Sequence, residues 1–239
     1  MIYFYDGTKE AFFTAFLRAF DDADAVLASA QKQLSIGQET VFVRADPARA
    51  ARVEKRFLEL DRDCIRELEL MLRSGDTNRD NIAFCYFRKI AKLQQPVRRM
   101  LSSGAVLDAN ECINRVTYEI HRFHGFLRFM ESASGALYGP FSPDNDICDL
   151  LAPHFRARLQ KYPFVIHDVK RKKACVFDGE NTFVAPLTAA EVVLSADEDA
   201  WRKLWRTYYK SVNIPSRERL KQMRGYMPVR YWKHLTEFT

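Results

Sequence analysis

Residues 164–184 read FVIHDVKRKKACVFDGENTFV, and this stretch decides between an all-helical chain and a mixed one. Phe164 to His167 is an apolar, β-branched run too short for a helix, and Ala174 to Phe177 is a second. Asp178-Gly179 is a turn pair that returns the second run into Thr182-Phe183-Val184 as a hairpin. A small antiparallel sheet is the expectation, with the β-prone Ile2 to Tyr5 a further candidate strand for it.

Upstream of this stretch the pattern is helical. Phe12, Phe13, Phe16, Leu17 and Phe20 recur at helical spacing within Ala11 to Phe20, after the turn Asp6-Gly7-Thr8. Thr40 to Val43 reads as a short strand. Asp46-Pro47 then caps and opens one long helix through Val53, Phe57, Leu60, Cys64, Leu68 and Met71, stopped by Ser74-Gly75-Asp76. Further helices are expected from Asn81 to Gln95, where Pro96 interrupts, from Ala109 to about Met130, and from Ile147 to Gln160. Downstream, Ser195-x-x-Glu198 has capping-box spacing and starts a helix through Trp201, Leu204, Trp205 and Tyr208. The fold expected is therefore α+β: a predominantly helical single domain over residues 1–239, with a helical core and small sheet over 1–200 and a basic, aromatic-rich helix and tail over 201–239.

Composition narrows the function classes. Hydrophobic residues make up 47% of the chain and aromatics 13%, with nine glycines and nine prolines, which excludes a disordered chain. The net charge of +6 is localised. Trp201 to Thr239 carries ten Lys or Arg against Glu218 and Glu237, net +8, while the remainder is close to neutral. A concentrated cationic segment is what a phosphate backbone requires of its partner. The five cysteines, Cys64, Cys85, Cys112, Cys148 and Cys175, are widely spaced with no metal-ligand spacing, and read as small buried side chains in a reducing compartment. The opening MIYFYDGTKE shows no signal-peptide pattern, and no stretch approaches the roughly eighteen apolar residues that span a bilayer. Cytoplasmic location without a membrane partner is the expectation.

Three constellations carry candidate chemistry. In Val116 to Phe129, Val116, Ile120, Phe123, Leu127 and then Met130 form an apolar stripe, opposite Tyr118, His121, Arg122, Gly125 and Arg128. A glycine inside a helix costs about 1 kcal/mol relative to alanine, so either a ligand approaches the backbone at Gly125 or another helix crosses there. On the functional reading Arg122 and Arg128 hold an anion, with Glu119, His121 or His124 as acid/base groups; on the plainer reading the face is simply solvated. His121-x-x-His124 has metal-compatible spacing, with Glu119 and His154 as conceivable partners, but no further ligand pattern supports it and no metal is expected. The second constellation is His167-Asp168 running into Lys170-Arg171-Lys172-Lys173, a phosphate grip or a solubilising loop. The third interleaves Tyr208, Tyr209, Lys210, Ser211, Asn213 and Arg217 with Arg224, Arg230, Tyr231, Trp232 and Lys233, the mixture in which planar groups stack on bases while cations hold phosphates.

These blocks, in their order and spacing, resemble the bacterial DUF4130 family described as probable DNA metabolism or repair proteins. The supporting residues are Tyr5-Asp6-Gly7, His121-Arg122, Gly125-Phe126, Arg128-Phe129, Pro143, Asp146-Ile147, Ala152-Pro153-His154-Phe155 and Arg158. They continue through Ile166-His167-Asp168, Arg171, Tyr208, Ser211, Asn213-Ile214, Arg217, Met227-Pro228 and Arg230-Tyr231-Trp232. The resemblance implies association with a radical S-adenosylmethionine protein carrying a helix-hairpin-helix element and, in related chains, with a uracil-DNA-glycosylase-like domain. It assigns no reaction, and no cofactor is expected on this chain.

The leading expectation is a DNA-binding accessory protein in repair or base modification, taking single-stranded DNA or damaged duplex. Arg122, Arg128, Arg158, Lys170, Arg171, Arg217 and Arg230 would hold phosphates, Tyr208, Tyr231 and Trp232 would stack, and His167, Ser211 and Asn213 complete the contact set. Two other classes stand beside it: an enzyme acting on a nucleobase or phosphodiester, with Glu119, His121, His124, His154 and Asp168 converging on one pocket, and a scaffold that docks a partner protein.

Overall fold

The computed structural model describes residues 1–29, 39–189 and 192–238. They form two compact units, Met1–Thr117 and Tyr118–Thr239. The first runs β1 (Ile2–Tyr5), α1 (Lys9–Ala19), β2 (Val26–Ser29), β3 (Thr40–Phe42), α2 (Pro47–Leu60), α3 (Cys64–Leu72) and α4 (Arg79–Leu93), and enters α5 (Gly104–Phe126), within which the division falls.

Thr8 caps α1 by accepting from the Ala11 amide, and Asp46 caps α2 by accepting from the Arg49 amide, with Pro47 at the first helical position. The α1 aromatics meet those of α2 and α4 mainly edge to face: Phe57 lies 4.7 Å from Phe87, and Phe12, Phe13, Phe16 and Phe84 close the cluster. Rings in this geometry gain beyond their buried area because the positive edge of one meets the negative face of the next. Buried Asp80 accepts from the Tyr5 hydroxyl at 2.6 Å and the Ser29 amide at 2.8 Å, fixing α4 to the ends of β1 and β2.

Two expectations change here. Ile2–Tyr5 does not join the hairpin sheet; it is the centre of a three-stranded parallel sheet ordered β2-β1-β3. A parallel pair needs a crossover, which α1 supplies. The helix expected to run unbroken to Met71 is two, because Asp61 adopts extended backbone and its carboxylate accepts from the Asp63 amide, competing with the helical ladder.

The second unit contains β4 (Met130–Glu131), β5 (Leu137–Phe141), α6 (Cys148–Leu159), β6 (Phe164–Asp168), β7 (Lys173–Phe177), β8 (Thr182–Pro186), α7 (Glu198–Val212) and α8 (Leu220–Tyr226), with short 3-10 turns at Pro215–Arg217 and Val229–His234. The α+β class expected from sequence holds. Its sheet, ordered β4-β5-β6-β7-β8, is mixed rather than wholly antiparallel, since α6 carries the chain from β5 to a parallel β6. Gly139 in β5 is required: a Cβ there would sit 2.9 Å from the Phe129 ring. The Ser195/Glu198 capping box does not form. Buried Glu198 instead accepts from the Glu131 amide and from Arg202, binding the start of α7 to β4. The C-terminal stretch also folds in, with Tyr231 and Leu235 buried.

Candidate nucleic-acid interface

A cleft of about 380 Å³ opens in the second unit between the end of α5, α6 and α7. Gly125 and Arg128 come from the α5 end, Phe129 from the segment leading to β4, Phe155 and Arg158 from α6, and Trp201, Arg202 and Trp205 from α7. Phe129 and Phe155 meet edge to face at 5.0 Å. A Cβ on Gly125 would meet nothing within 4 Å, so this glycine faces the cleft rather than a crossing helix.

One wall is fixed by a buried carboxylate. Glu237 receives Arg128 through two nitrogens at 2.7 and 3.3 Å and the Trp205 indole N–H at 3.0 Å, while the Arg128 guanidinium lies 5.4 Å over the Trp205 ring. Burial opposes ionisation of Glu237, but the Arg128 and Trp205 hydrogen bonds prevail and hold its carboxyl below the usual range. Two other lining residues are left available. Arg158 is exposed without an ion-pair or hydrogen-bond partner among the described residues, and Trp201 is 59% exposed. From Trp201 the exposed apolar stripe continues along α7 through Leu204, Tyr208 and Val212, interleaved with Lys203 and Lys210.

The other residues expected to bind nucleic acid are dispersed, and several are engaged in the fold. Arg122 is partly exposed and unpaired among the described residues, one turn before Gly125 on α5. Lys170 is exposed in the β6–β7 turn. Arg171 is tied to Asp168 at 2.9 Å and to the carbonyls of Pro143 and Asp144. His167 is buried: its Nε2 donates to the Leu187 carbonyl at 3.0 Å, so its Nδ1 accepts from the Tyr138 hydroxyl at 2.6 Å. Arg230 pairs with Asp144 at 2.5 Å, and Trp232 stacks on Phe238 at 4.6 Å. Ser211 donates to the Tyr208 carbonyl, Asn213 bonds Glu218, and Arg217 is exposed beside Tyr209 and Tyr226.

The acid/base candidates do not converge. Glu119 is 2% exposed and accepts from the Asp144 amide, the Asn145 amide and side chain, and the Tyr231 hydroxyl, at 2.7–3.0 Å. Asp168 is fully buried and accepts from the backbone and side chain of Arg171. His121 is exposed. His124 and His154 do meet, stacked at 4.1 Å and 14°, each with a buried Nε2 lacking a partner among the described residues. Burial, then the neighbouring His154 and His121, push the His124 pKa down. Face-to-face stacking directs the two in-plane lone pairs along parallel lines rather than at one point, and among the described residues no three His, Cys, Asp or Glu side chains are grouped to hold a metal ion.

Sequence reading did not select Trp201, Arg202, Trp205 or Phe155 for the site. The available signal was the pair of tryptophans at i, i+4 with cations between them, which on an inward-facing helix would have been core.

The model of a domain of unknown function, DUF4130, matches residues 77–237. The chain belongs to the DUF4130 family. The DUF4130 match takes in the cleft and the whole α7 stripe, and leaves β1 through α3 outside. No curated protein and no solved structure matches. No described helix of this family member is long and apolar enough to cross a membrane.

Proposed function

We propose that the second unit holds an unpaired nucleotide of DNA in the aromatic and arginine-lined cleft, making the protein a DNA-binding accessory factor in repair or base modification. The carrying observation is the cleft itself: exposed Trp201 and unpaired Arg158 face a space floored by Phe129 and Phe155. Base stacking on an aromatic contributes about 1–3 kcal/mol per base, and a cation beside it takes the flanking phosphate without reading sequence. The α7 stripe extends this surface through Tyr208 towards Arg217. The family resemblance supports placing the protein beside a radical S-adenosylmethionine partner, which would carry the cluster-dependent chemistry. The five cysteines here are buried or half-buried free thiols.

A second reading, a protein-docking scaffold, is favoured by one observation: Leu204, at 58% exposed, and Val212 offer α7 an aliphatic surface that bases do not need. Titration with a thymidine homopolymer, read by tryptophan fluorescence, separates the two. Trp201→Ala weakens the binding about tenfold or more on the DNA reading, and Gly125→Leu, which puts a side chain into the cleft from a position where a Cβ meets nothing within 4 Å, abolishes it. Binding untouched by both substitutions removes the cleft from the account.

A further inference from the structure

In the first unit, α1, α2 and α4 leave an open groove of about 650 Å³. Its floor is apolar: Phe16, Phe20, Val53, Phe57, Leu60 and Ala91. Leu17 on the α1 side is 46% exposed. One edge is cationic, with Arg49, Arg52 and Arg56 at i, i+3 and i+7 along α2. Arg49 pairs with Asp46 and Arg56 with Glu59, both on exposed side chains, and Arg56 also donates to the Gln94 side chain at the α4 end at 2.6 Å, while Arg52 has no partner among the described residues.

We propose that this groove docks an amphipathic helix of a partner protein, apolar on the face that enters and acidic along the flank beside α2. The stretch of α2 from Arg49 to Leu60 is roughly 16 Å long at 1.5 Å per residue, about three helical turns, the length over which i, i+3, i+4 and i+7 anchors engage a groove. Apart from the Arg56–Gln94 hydrogen bond at one end the groove is open to solvent, so it would leave a small amphiphile largely in water, whereas ligand sites normally enclose most of theirs. Three arginines along one edge select acidic flanks, because like charges brought together there repel. The same rule disfavours two copies of this chain meeting groove to groove, which would set arginine against arginine. Nothing in this proposal depends on the DNA cleft.

The probe is a fluorescein-labelled synthetic helix with a leucine stripe and glutamate flanks, titrated with the full chain by anisotropy against the same peptide carrying lysine for glutamate. The glutamate peptide binds about tenfold tighter than the lysine peptide, and Arg52→Glu removes most of that preference. Leu17→Asp, at a half-exposed position and with the melting midpoint of the variant checked against the parent's, weakens binding of the glutamate peptide at least fivefold. Equal binding of both peptides, no binding of either, or binding of the glutamate peptide that neither substitution alters overturns the proposal. So does displacement of a bound naphthalene sulfonate dye by dodecanoate but not by the peptide, because the occupant is then a small amphiphile.

Discussion

Replacing Glu119 by Gln tests whether this carboxylate, placed by sequence among acid/base candidates, is instead a structural tie. Its Oε1 accepts from the Asp144 amide and the Tyr231 hydroxyl, and its Oε2 from the Asn145 amide and side chain. An amide can replace only one of those oxygens. Whichever way the substituted side chain turns, its NH2 faces one backbone N–H that cannot accept, and the second partner is kept only by turning the Tyr231 hydroxyl or the Asn145 amide, so one to two hydrogen bonds to a charged acceptor are lost. At about 1.5–3 kcal/mol each, the loss is about 2–5 kcal/mol, approaching that of breaking a buried charged network. For a chain of this size that lowers the melting midpoint by about 10 °C. Tryptophan fluorescence reads the right part of the molecule, because the three tryptophans, Trp201, Trp205 and Trp232, all lie in the second unit. A catalytic carboxylate would behave in the opposite way, since relieving active-site strain leaves stability unchanged or raised. A midpoint within 2 °C of the parent's refutes the structural assignment.

Further outcomes follow from the same geometry. Burial, then the Lys233 charge and the neighbouring His167, push the His234 pKa down to about 4, with Ser142 bonded at 3.0 Å. A histidine held neutral contributes stability that is complete above its unfolded value near 6.5 and is lost as pH falls toward 4. Unfolding free energies from urea titrations at pH 6.5 and pH 4.5 should therefore differ by about 2 kcal/mol more in the parent than in His234→Gln, and equal differences count against it. Arg128→Ala strands the Glu237 carboxylate and should cost about 3 kcal/mol, whereas Arg158→Ala should shift stability by less than about 0.5 kcal/mol while weakening DNA binding. Gly139→Ala drives a Cβ into Phe129, costing about 1–3 kcal/mol and displacing a wall of the cleft; a parent-like melting curve would show that Phe129 does not need that space.

Much of the architecture was legible because it is written in local periodicity. The β6–β7–β8 hairpins follow from alternating short apolar runs and the Asp178-Gly179 turn, and the buried stripe of Val116, Phe123 and Leu127 on α5 follows from helical spacing. What escaped has non-local causes. β2 is a four-residue run whose partner lies before α1, and β5 contains Gly139 and Pro140, which weaken a strand signal although the Phe129 ring demands the glycine. The candidate site divided in the same way. Gly125 and Arg128 stood out in the α5 pattern and Arg158 through the family resemblance, and all three line one cleft. Arg171, Arg230, Tyr231 and Glu119 carry equally suggestive side chains. Arg171 meets Asp168 only three residues before it, but its carbonyl partners at Pro143 and Asp144, the Asp144 partner of Arg230 and the Glu119–Tyr231 pair are brought near only by the tertiary fold. A cation in a sequence reads the same whether it faces a phosphate or a buried carboxylate.

That distinction selects the probes for the central claim. Arg122 and Arg158 are unpaired among the described residues, so replacing both with alanine removes charge without stranding a partner. Fluorescence anisotropy of the full chain with single-stranded, duplex, uracil-containing and abasic DNA, across a salt series, should show tightest binding where a base is unpaired. Each phosphate contact contributes about −0.7 to the slope of log affinity against log salt on single strands, so the double variant should flatten that slope by about 1.4. Binding that is indifferent to salt, or a slope unchanged by losing both arginines, would contradict a DNA-binding cleft in this protein.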